Sequence, residues 1–255
     1  MKSMKKIATI LALIIIVVLP EKAMAGNLLE SIKLKARAGY SIGGTAPLGI
    51  PATIRSLDAY RLTPSFMGGV DAMTQISGNW GAMAGVRFEN KAMDCEITTK
   101  NYYMEVVKGD SHLAGMYTGS VRQQVTEWMF TVPVMATYQV GKHVQLKAGP
   151  YVSLLLSKDF SGYVFDGYLR QNNPTGAKIV MGHEANERAT YDFSDDMRRF
   201  QTGVMVGADW QVYKRLGVAA DLSWGLTGVH KSDFKTIEQT LYPIYGTIGV
   251  FYTIN

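Results

Sequence analysis

The sequence is poor in cysteine and histidine, two residue types on which exported domains and enzymes commonly depend. It contains one cysteine and four histidines among 255 residues. A single cysteine excludes an intramolecular disulfide, so backbone pairing and side-chain packing must stabilise the fold. HExxH zinc motifs and Walker-type glycine-rich phosphate loops are also absent, so neither of these catalytic motifs indicates an enzyme.

Long apolar runs are absent as well, except for one near the N-terminus. Residues 7–19 are apolar apart from Thr9, whereas a membrane-spanning helix needs about 20 apolar residues. Lysines precede this run, and the small residues Ala23 and Ala25 follow it. We therefore predict a cleaved signal peptide over residues 1–25, with cleavage before Gly26. Because no later run is long enough for a helix, residues 26–255 can cross a membrane only as strands.

Charge of one sign is not concentrated in any later segment. The chain has 26 basic and 21 acidic residues, and four of the lysines lie in the predicted signal peptide. Scattered basic residues do not form the cluster that is typical of nucleic-acid binding, so we expect no nucleic-acid partner. The even composition predicts one domain over residues 26–255. Cys95 is too far from the cleavage site to carry a lipid anchor, and we interpret it as a loop cysteine.

Apolar and polar residues alternate with a period of two in segment after segment. In residues 200–213, for example, Val204, Val206 and Trp210 alternate with Met205, Gly207 and Asp209. This period is typical of a strand with one apolar and one polar face. Eight segments show it: residues 34–42, 66–76, 80–88, 130–140, 144–156, 200–213, 216–226 and 244–254.

The connections between these segments are alternately short and long. Tight joints occur at residues 77–79, 141–143 and 214–215, and long connections cover residues 43–64, 90–127, 157–199 and 228–241. Outer-membrane barrels have short periplasmic turns and long extracellular loops. We therefore predict an all-β fold, an eight-stranded antiparallel up-and-down transmembrane β-barrel. A soluble periplasmic sandwich is the alternative, but its strands are usually about five or six residues long.

In such a barrel the apolar face meets lipid and the polar face lines the lumen. An eight-stranded lumen is just wide enough for side chains to fill. We therefore expect the inward charges to pair as an ion-pair network; a conduction path or a catalytic carboxylate pair is the alternative. The predicted network consists of Lys35, Arg37, Asp71, Arg87, Glu89, Lys147, Asp209 and Asp221.

Aromatic residues near segment ends predict two girdles at the membrane interfaces, where rings with polar edges are favoured. The general preference of aromatic residues for strands explains their presence but not this placement. The candidate interface residues are Tyr40, Phe66, Trp80, Phe88, Phe130, Tyr138, Phe200, Trp210 and Tyr252.

The histidines offer weak alternatives. His183 and Glu184, with Asp192, Asp195 and Asp196 further along, resemble a metal site less than an acidic solvated loop, so we expect no metal and no cofactor. A lipid-modifying enzyme would need His183 or His112 beside a serine or carboxylate.

The stretches 131–138 (TVPVMATY) and 144–151 (VQLKAGPY), with Leu154 and Leu155, resemble the PorT-like outer-membrane β-barrel family. Residues 206–209 and 223–227 resemble its glycine-punctuated later strands. The resemblance implies a barrel in the outer membrane, and one member of that family is implicated in protein secretion. The chain departs from common barrel-assembly signals because it does not end on an aromatic residue; Phe251 and Tyr252 lie slightly upstream.

These observations favour a structural or interaction protein of the cell envelope that is not an enzyme. We expect its partners to be outer-membrane lipid, the barrel-assembly machinery and envelope or secretion-complex proteins. A small transporter or pore and a barrel-borne lipid-modifying enzyme are the alternative functions. We expect the two longest loops to continue as hairpins beyond the bilayer, and recognition is expected in these loops, which hold several aromatic residues. These are Tyr102, Tyr103, Tyr117, Tyr163, Phe165 and Tyr168.

Overall fold

The computed structural model describes residues 32–234, 236–237 and 239–254. The predicted signal peptide and its cleavage site lie outside the described residues. Eleven strands form one antiparallel sheet. No helix in the described part of the chain is both long and apolar enough to span a membrane. The strands are β1 (Lys33–Pro47), β2 (Ile54–Arg61), β3 (Phe66–Ser77), β4 (Trp80–Lys108), β5 (Ser111–Val140), β6 (Val144–Gln171), β7 (Lys178–Met181), β8 (Ala189–Asp192), β9 (Phe200–Tyr213), β10 (Leu216–Gly225) and β11 (Leu241–Thr253).

Eight of these strands close into a barrel. Going round the barrel, the order is β1, β3, β4, β5, β6, β9, β10 and β11, and each neighbouring pair is antiparallel. The last strand pairs with the first from Lys35 opposite Thr253 to Pro47 opposite Leu241. This closure satisfies the backbone amides that an open sheet edge would expose to lipid. The predicted eight-stranded antiparallel barrel is confirmed.

The apolar face of each barrel strand points outwards. Val204, Leu222 and Val250 are 41%, 49% and 54% exposed, whereas Asp209 and Asp221 are 1% and 7% exposed. Successive side chains of a strand point to opposite sides of the sheet, so the period-two pattern produces this division directly. A soluble sandwich would bury the three aliphatic residues and expose the two aspartates. The structure therefore contradicts the sandwich alternative.

Short turns occupy one rim of the barrel, where the described chain also begins and ends. Gly78 and Gly141 adopt φ values of +54° and +61° at two of these turns, a backbone region that glycine enters without steric cost. Short turns mark the periplasmic rim of an outer-membrane barrel, and the opposite rim is extracellular.

Beyond the extracellular rim the sheet continues as a folded extension. Strands β4, β5 and β6 are 29, 30 and 28 residues long, which is far more than a bilayer requires. Residues 90–127 and much of residues 157–199, expected as loops, are therefore mostly strand. The strands β2, β7 and β8 add to the extension's edges. Thr190 of β8 pairs with Tyr163 of β6 on one side and with Val107 of β4 on the other.

The extension has a hydrophobic core of its own. Burying this apolar surface stabilises the strands where lipid no longer does so. Ile97 and Phe234 pack against its margin. The buried members of this core include Tyr117, Val121, Val125, Phe160, Val164, Leu169, Met181, Tyr191 and Met197.

Candidate functional site

Six charged side chains form a closed ring of ion pairs inside the barrel. They come from six different strands, which the closed sheet brings together around one lumen. The ring runs from Asp209 through Arg37, Asp71, Arg87, Asp221 and Lys147 back to Asp209.

The contacts in this ring are short, and its members are almost fully buried. Lys147 Nζ lies 2.7 Å from carboxylate oxygens of both Asp209 and Asp221. Arg87 lies 3.1 Å from Asp221 and 3.2 Å from Asp71. Buried charges are tolerated only when each has opposite charges and hydrogen-bond partners beside it. The ring meets this requirement for all six members.

Lys35 is not a member of the ring but contacts it, because its Nζ lies 3.0 Å from a carboxylate oxygen of Asp209. Glu89, the eighth residue of the predicted network, is not part of the ring. It pairs with Lys91 at 3.1 Å and accepts a hydrogen bond from Thr131 at 2.9 Å. The structure thus brings seven of the predicted residues together and places Glu89 in a separate pair nearer the extracellular rim.

Sequence reasoning missed two further lumenal charges, Lys91 and Glu127. Both are buried, and Glu127 accepts a hydrogen bond of 2.7 Å from Gln201. Lys91 follows the predicted segment 80–88, and Glu127 precedes the predicted segment 130–140. The alternation of segment 80–88 continues through Glu89 to Lys91, and that of segment 130–140 extends back through Met129 to Glu127. This continued alternation is the signal that could have identified both residues. With these two residues included, the described residues place five cations and five carboxylates in the lumen, and their formal charges sum to zero.

Apolar side chains pack in the lumen beside these polar groups. A cluster of Met73, Met83, Met135, Met205 and Tyr151 is buried on the inner face. Methionine is flexible and fills irregular gaps between fixed charged groups. The ion-pair ring and the methionine cluster are both almost fully buried, as expected for the narrow interior of an eight-stranded barrel.

The predicted interface aromatics lie on the outer surface in two sets. The rings of Trp80 and Tyr138 meet edge to face near the periplasmic rim, with their centres 4.9 Å apart. Trp210 and Tyr252 also lie near this rim. Tyr40 contacts Phe66 at 5.8 Å near the other rim, where β6 aligns Phe130 with Phe200. Phe88 contacts Phe130 at 5.3 Å.

The four histidines lie in different surroundings. His183 Nδ1 is 2.8 Å from Asp166 on the exposed surface. His112 is at the tip of the β4–β5 hairpin, and His143 is in a periplasmic turn. His230 packs in the extension between the rings of Phe160 and Phe234, each 4.6 Å away, and burial lowers its pKa to about 4.

No group of three or more His, Cys, Asp or Glu residues in the described ranges could hold a metal ion. Of the metal-site candidates, Asp195 and Asp196 are in a short 3-10 helix, Ser194–Asp196, and Asp192 is at the end of β8. Cys95 is buried in β4, and burial raises the pKa of its thiol to about 11. Cys95 is therefore a core residue of the extension, not the loop cysteine that the sequence suggested.

The outer surface of the extension carries charged and aromatic side chains. Arg122 binds Asp94 through two hydrogen bonds, which lower the pKa of the Asp94 carboxyl, and it donates a third to Tyr163 at 3.2 Å. The guanidinium of Arg188 lies 4.5 Å from the ring centre of Tyr163 and 5.7 Å from that of Phe165. These contacts hold the exposed side chains of the extension in defined positions. Long flexible loops seldom present such an ordered surface.

A closed barrel with an apolar outer face, aromatic rims and a neutralised lumen defines a small outer-membrane β-barrel protein. The model of the family described as outer membrane protein beta-barrel domain matches residues 25–231, which is most of the chain. The protein belongs to that family and is located in the outer membrane.

Solved structures with a similar course of the chain are also barrels. The attachment invasion locus protein Ail of Yersinia pestis is 8% identical, with 87% of this chain and 98% of that chain covered and a TM-score of 0.39. Neisserial surface protein A is 10% identical, with 88% and 97% covered and a TM-score of 0.39. The translocator domain of the autotransporter NalP from Neisseria meningitidis is 14% identical, with 91% and 92% covered and a TM-score of 0.24. The assignment does not depend on these low scores. No curated protein matches the chain.

Proposed function

We propose that the protein is an interaction module of the cell surface, in which the barrel is the anchor and the extension is the working part. The supporting observation is the position of the larger hydrophobic core, which lies in the extension beyond the extracellular rim. If these segments served only to connect the barrel strands, short flexible loops would be sufficient. A rigid folded unit outside the membrane provides a defined surface for a partner.

A pore is the alternative transport function, and the filled lumen disfavours it. An ion entering the barrel would have to displace the ring formed around Arg37 and Asp209. We therefore expect no steady conductance from the purified protein in planar bilayers. A stable ohmic conductance would favour the pore.

We also propose that the protein is not an enzyme. His183 pairs with an exposed aspartate, and His112 lies on a different hairpin. Turnover of phospholipid or lipopolysaccharide by the purified protein, lost in both His183→Ala and His112→Ala, would contradict this proposal.

We include in the same proposal a specific relationship to PorT-like proteins. With it we propose a role for the protein beside a secretion or envelope complex. A rigid extension suits a stable protein partner. Cross-linking in intact cells, followed by identification of the captured proteins, separates a subunit of a larger assembly from an autonomous barrel.

The direct test is labelling of single cysteines in intact cells with a membrane-impermeant maleimide. In a Cys95→Ser background, Asp110→Cys places a thiol at the tip of the β4–β5 hairpin, and Lys142→Cys places one in a periplasmic turn. We expect the first variant to label in intact cells and the matched second variant to label only after lysis. The reverse pattern, or labelling of neither site in intact cells, would refute presentation of the extension outside the cell.

A further inference from the structure

The periplasmic rim of the barrel carries exposed basic side chains with no acidic residue among them. Lys142 lies in the turn between β5 and β6, and Lys214 and Arg215 form the turn between β9 and β10. Lys33 begins β1 at the same rim. All four side chains, here called the rim cations, are exposed. The described residues of this rim contain neither aspartate nor glutamate; they are residues 32–34, 74–81, 138–146, 210–217 and 251–254.

Backbone hydrogen bonds place the rim cations on one continuous arc. The Gln211 amide donates to the His143 carbonyl at 2.8 Å, which joins the β9–β10 turn to the β5–β6 turn. Two amides just beyond β11 and at its end donate to the carbonyls of Leu34 and Arg215, both at 2.8 Å, and these bonds extend the arc to the start of β1. The remaining short turn, residues 77–79, is uncharged. The positive charge is therefore concentrated on one side of the rim.

The rim cations lack the carboxylate partners that exposed cations have in the extension. There, Arg122 lies 2.6 Å from Asp94, and Arg61 lies 3.0 Å from Glu96. None of the ion pairs among the described residues includes a rim cation. Asp209, the acid closest to Lys214 in the chain, is buried and belongs to the ion-pair ring. The charge of the rim is thus not neutralised by these residues.

The β9–β10 turn holds its two cations in defined places. Arg215 donates one hydrogen bond, of 3.0 Å, from Nη1 to the Ile254 carbonyl, and its other guanidinium N–H groups remain available. The Lys214 ammonium lies 5.1 Å from the ring centre of Tyr213. Lys214 also adopts a φ of +46°, a region that glycine enters at the least cost. Turn geometry therefore does not account for a lysine at this position.

Lipid-facing side chains adjoin the rim cations. Trp210, Val212, Leu216 and Ile254 are all exposed on the outer face of the barrel beside these turns. Aromatic rings on this face mark the level at which acyl chains give way to headgroups. The rim cations therefore lie at headgroup level. Turns of two or three residues present separate point charges and no concave pocket, which suits a plane of headgroups better than a single small molecule.

We propose that the rim cations bind the headgroups of anionic phospholipids in the periplasmic leaflet of the outer membrane. The lysines contact headgroup phosphates as point charges, and the guanidinium of Arg215 can donate two parallel hydrogen bonds to one phosphate. Such contacts hold this side of the barrel rim at a fixed depth in the leaflet. The inference concerns the end of the molecule opposite the extension, so it goes beyond the function proposed above.

The test is native mass spectrometry of the full protein in dodecylmaltoside micelles, with dioleoylphosphatidylglycerol and dioleoylphosphatidylcholine as competing probes. We expect the parent protein to retain phosphatidylglycerol in preference to phosphatidylcholine. The double variant Lys142→Gln with Lys214→Gln should lower this preference at least about fivefold, because one basic residue near an anionic surface contributes roughly that factor. Arg55→Gln with Lys100→Gln removes two exposed cations of the extension and is the matched control. It should keep the preference of the parent.

Equal retention of the two lipids by the parent, or the same loss of preference in both double variants, would overturn the proposal. Purified peptidoglycan is the other anionic partner on this side of the membrane. Co-sedimentation of the parent with it, lost in the rim variant and combined with equal lipid retention, would assign the rim to the cell wall and would also overturn the proposal. Unchanged heat-dependent migration on SDS gels shows that the variants are folded. A negative result leaves presentation of the extension intact, because the maleimide experiment tests that separately.

Discussion

Arg37 and Asp209 are joined across the lumen by hydrogen bonds from both terminal guanidinium nitrogens, with Nη1 at 3.0 Å, although 172 residues separate them in the chain. Arg37 lies on β1 and Asp209 on β9, two strands that are not neighbours in the barrel. Their contact therefore crosses the interior. A bidentate pair of this kind fixes the distance between two non-adjacent strands of the wall as well as neutralising charge.

Replacing Asp209 should destabilise the barrel. Asp209→Asn leaves Arg37, Lys35 and Lys147 with one carboxylate fewer in a site from which water is excluded. Breaking a buried ion pair from one side costs about 3–5 kcal/mol. Urea unfolding of the refolded protein in detergent micelles measures this loss. Asp58→Asn, on the exposed strand β2, is the control and should change stability little. A loss below about 0.5 kcal/mol for Asp209→Asn would mean that the ring does not stabilise the barrel.

Gly162→Ala should loosen the extension and leave the barrel intact. A Cβ at this position would meet the Arg122 carbonyl oxygen at 2.0 Å and the Tyr191 hydroxyl at 2.5 Å. Relieving that overlap requires β6 to move away from β5 and the Tyr191 side chain of β8 to shift, at a cost of about 1–3 kcal/mol. Hydrogen exchange should become faster in the extension parts of β5, β6 and β8 only. Gly68→Ala, where a Cβ meets nothing within 4 Å, should leave exchange unchanged. Equal exchange in both variants would show that the close packing of β8 on Gly162 is unimportant.

Cys95 should be unreactive in the folded protein. Burial raises the pKa of its thiol from 9.0 to about 11, so the thiolate fraction near pH 7 falls about 100-fold, and the sulfur is also covered. Mass spectrometry after iodoacetamide treatment should find Cys95 unmodified in the native protein and modified after denaturation. The exposed thiol of Asp110→Cys is the internal reference. Rapid modification of native Cys95 would show that the extension opens readily.

His230 should make the extension less stable in mild acid. Burial, and secondarily the charge of Lys158, lowers its pKa from 6.5 to about 4. Between these values the unfolded chain binds a proton that the folded chain does not, so stability is retained above pH 6.5 and lost as the pH falls towards 4. Denaturant unfolding at pH 7 and pH 5 should show a larger decrease for the parent protein than for His230→Phe. Equal decreases in the two proteins would mean that His230 does not titrate on unfolding.

Much of the barrel could be predicted from the sequence, because the direction of a side chain on a strand is a local property. The outward position of Val204 and the inward position of Asp209 both follow from a period of two. The hairpins beyond the bilayer were predicted, but their extent and their common core were not, because the alternation on β4 and β6 changes phase. On β6 the extra residue Leu156 lies between Leu155 and Ser157, which pair with Met129 and Trp128, and Asn101 on β4 and Asp166 on β6 adopt positive φ values of 54° and 49°. Each irregularity moves the apolar residues to the other face, so the alternation is lost within a few residues.

The sequence by itself determined that the strands form a closed cylinder with lipid outside and charges inside, since hydropathy and turn spacing act over short stretches of chain. Only the tertiary structure decided which charges pair, because Arg37 meets Asp209 and Glu89 meets Lys91 through the register and stagger of a closed sheet. It also decided that three strands continue past the membrane into a second core, since this depends on long-range packing among residues that no local period connects.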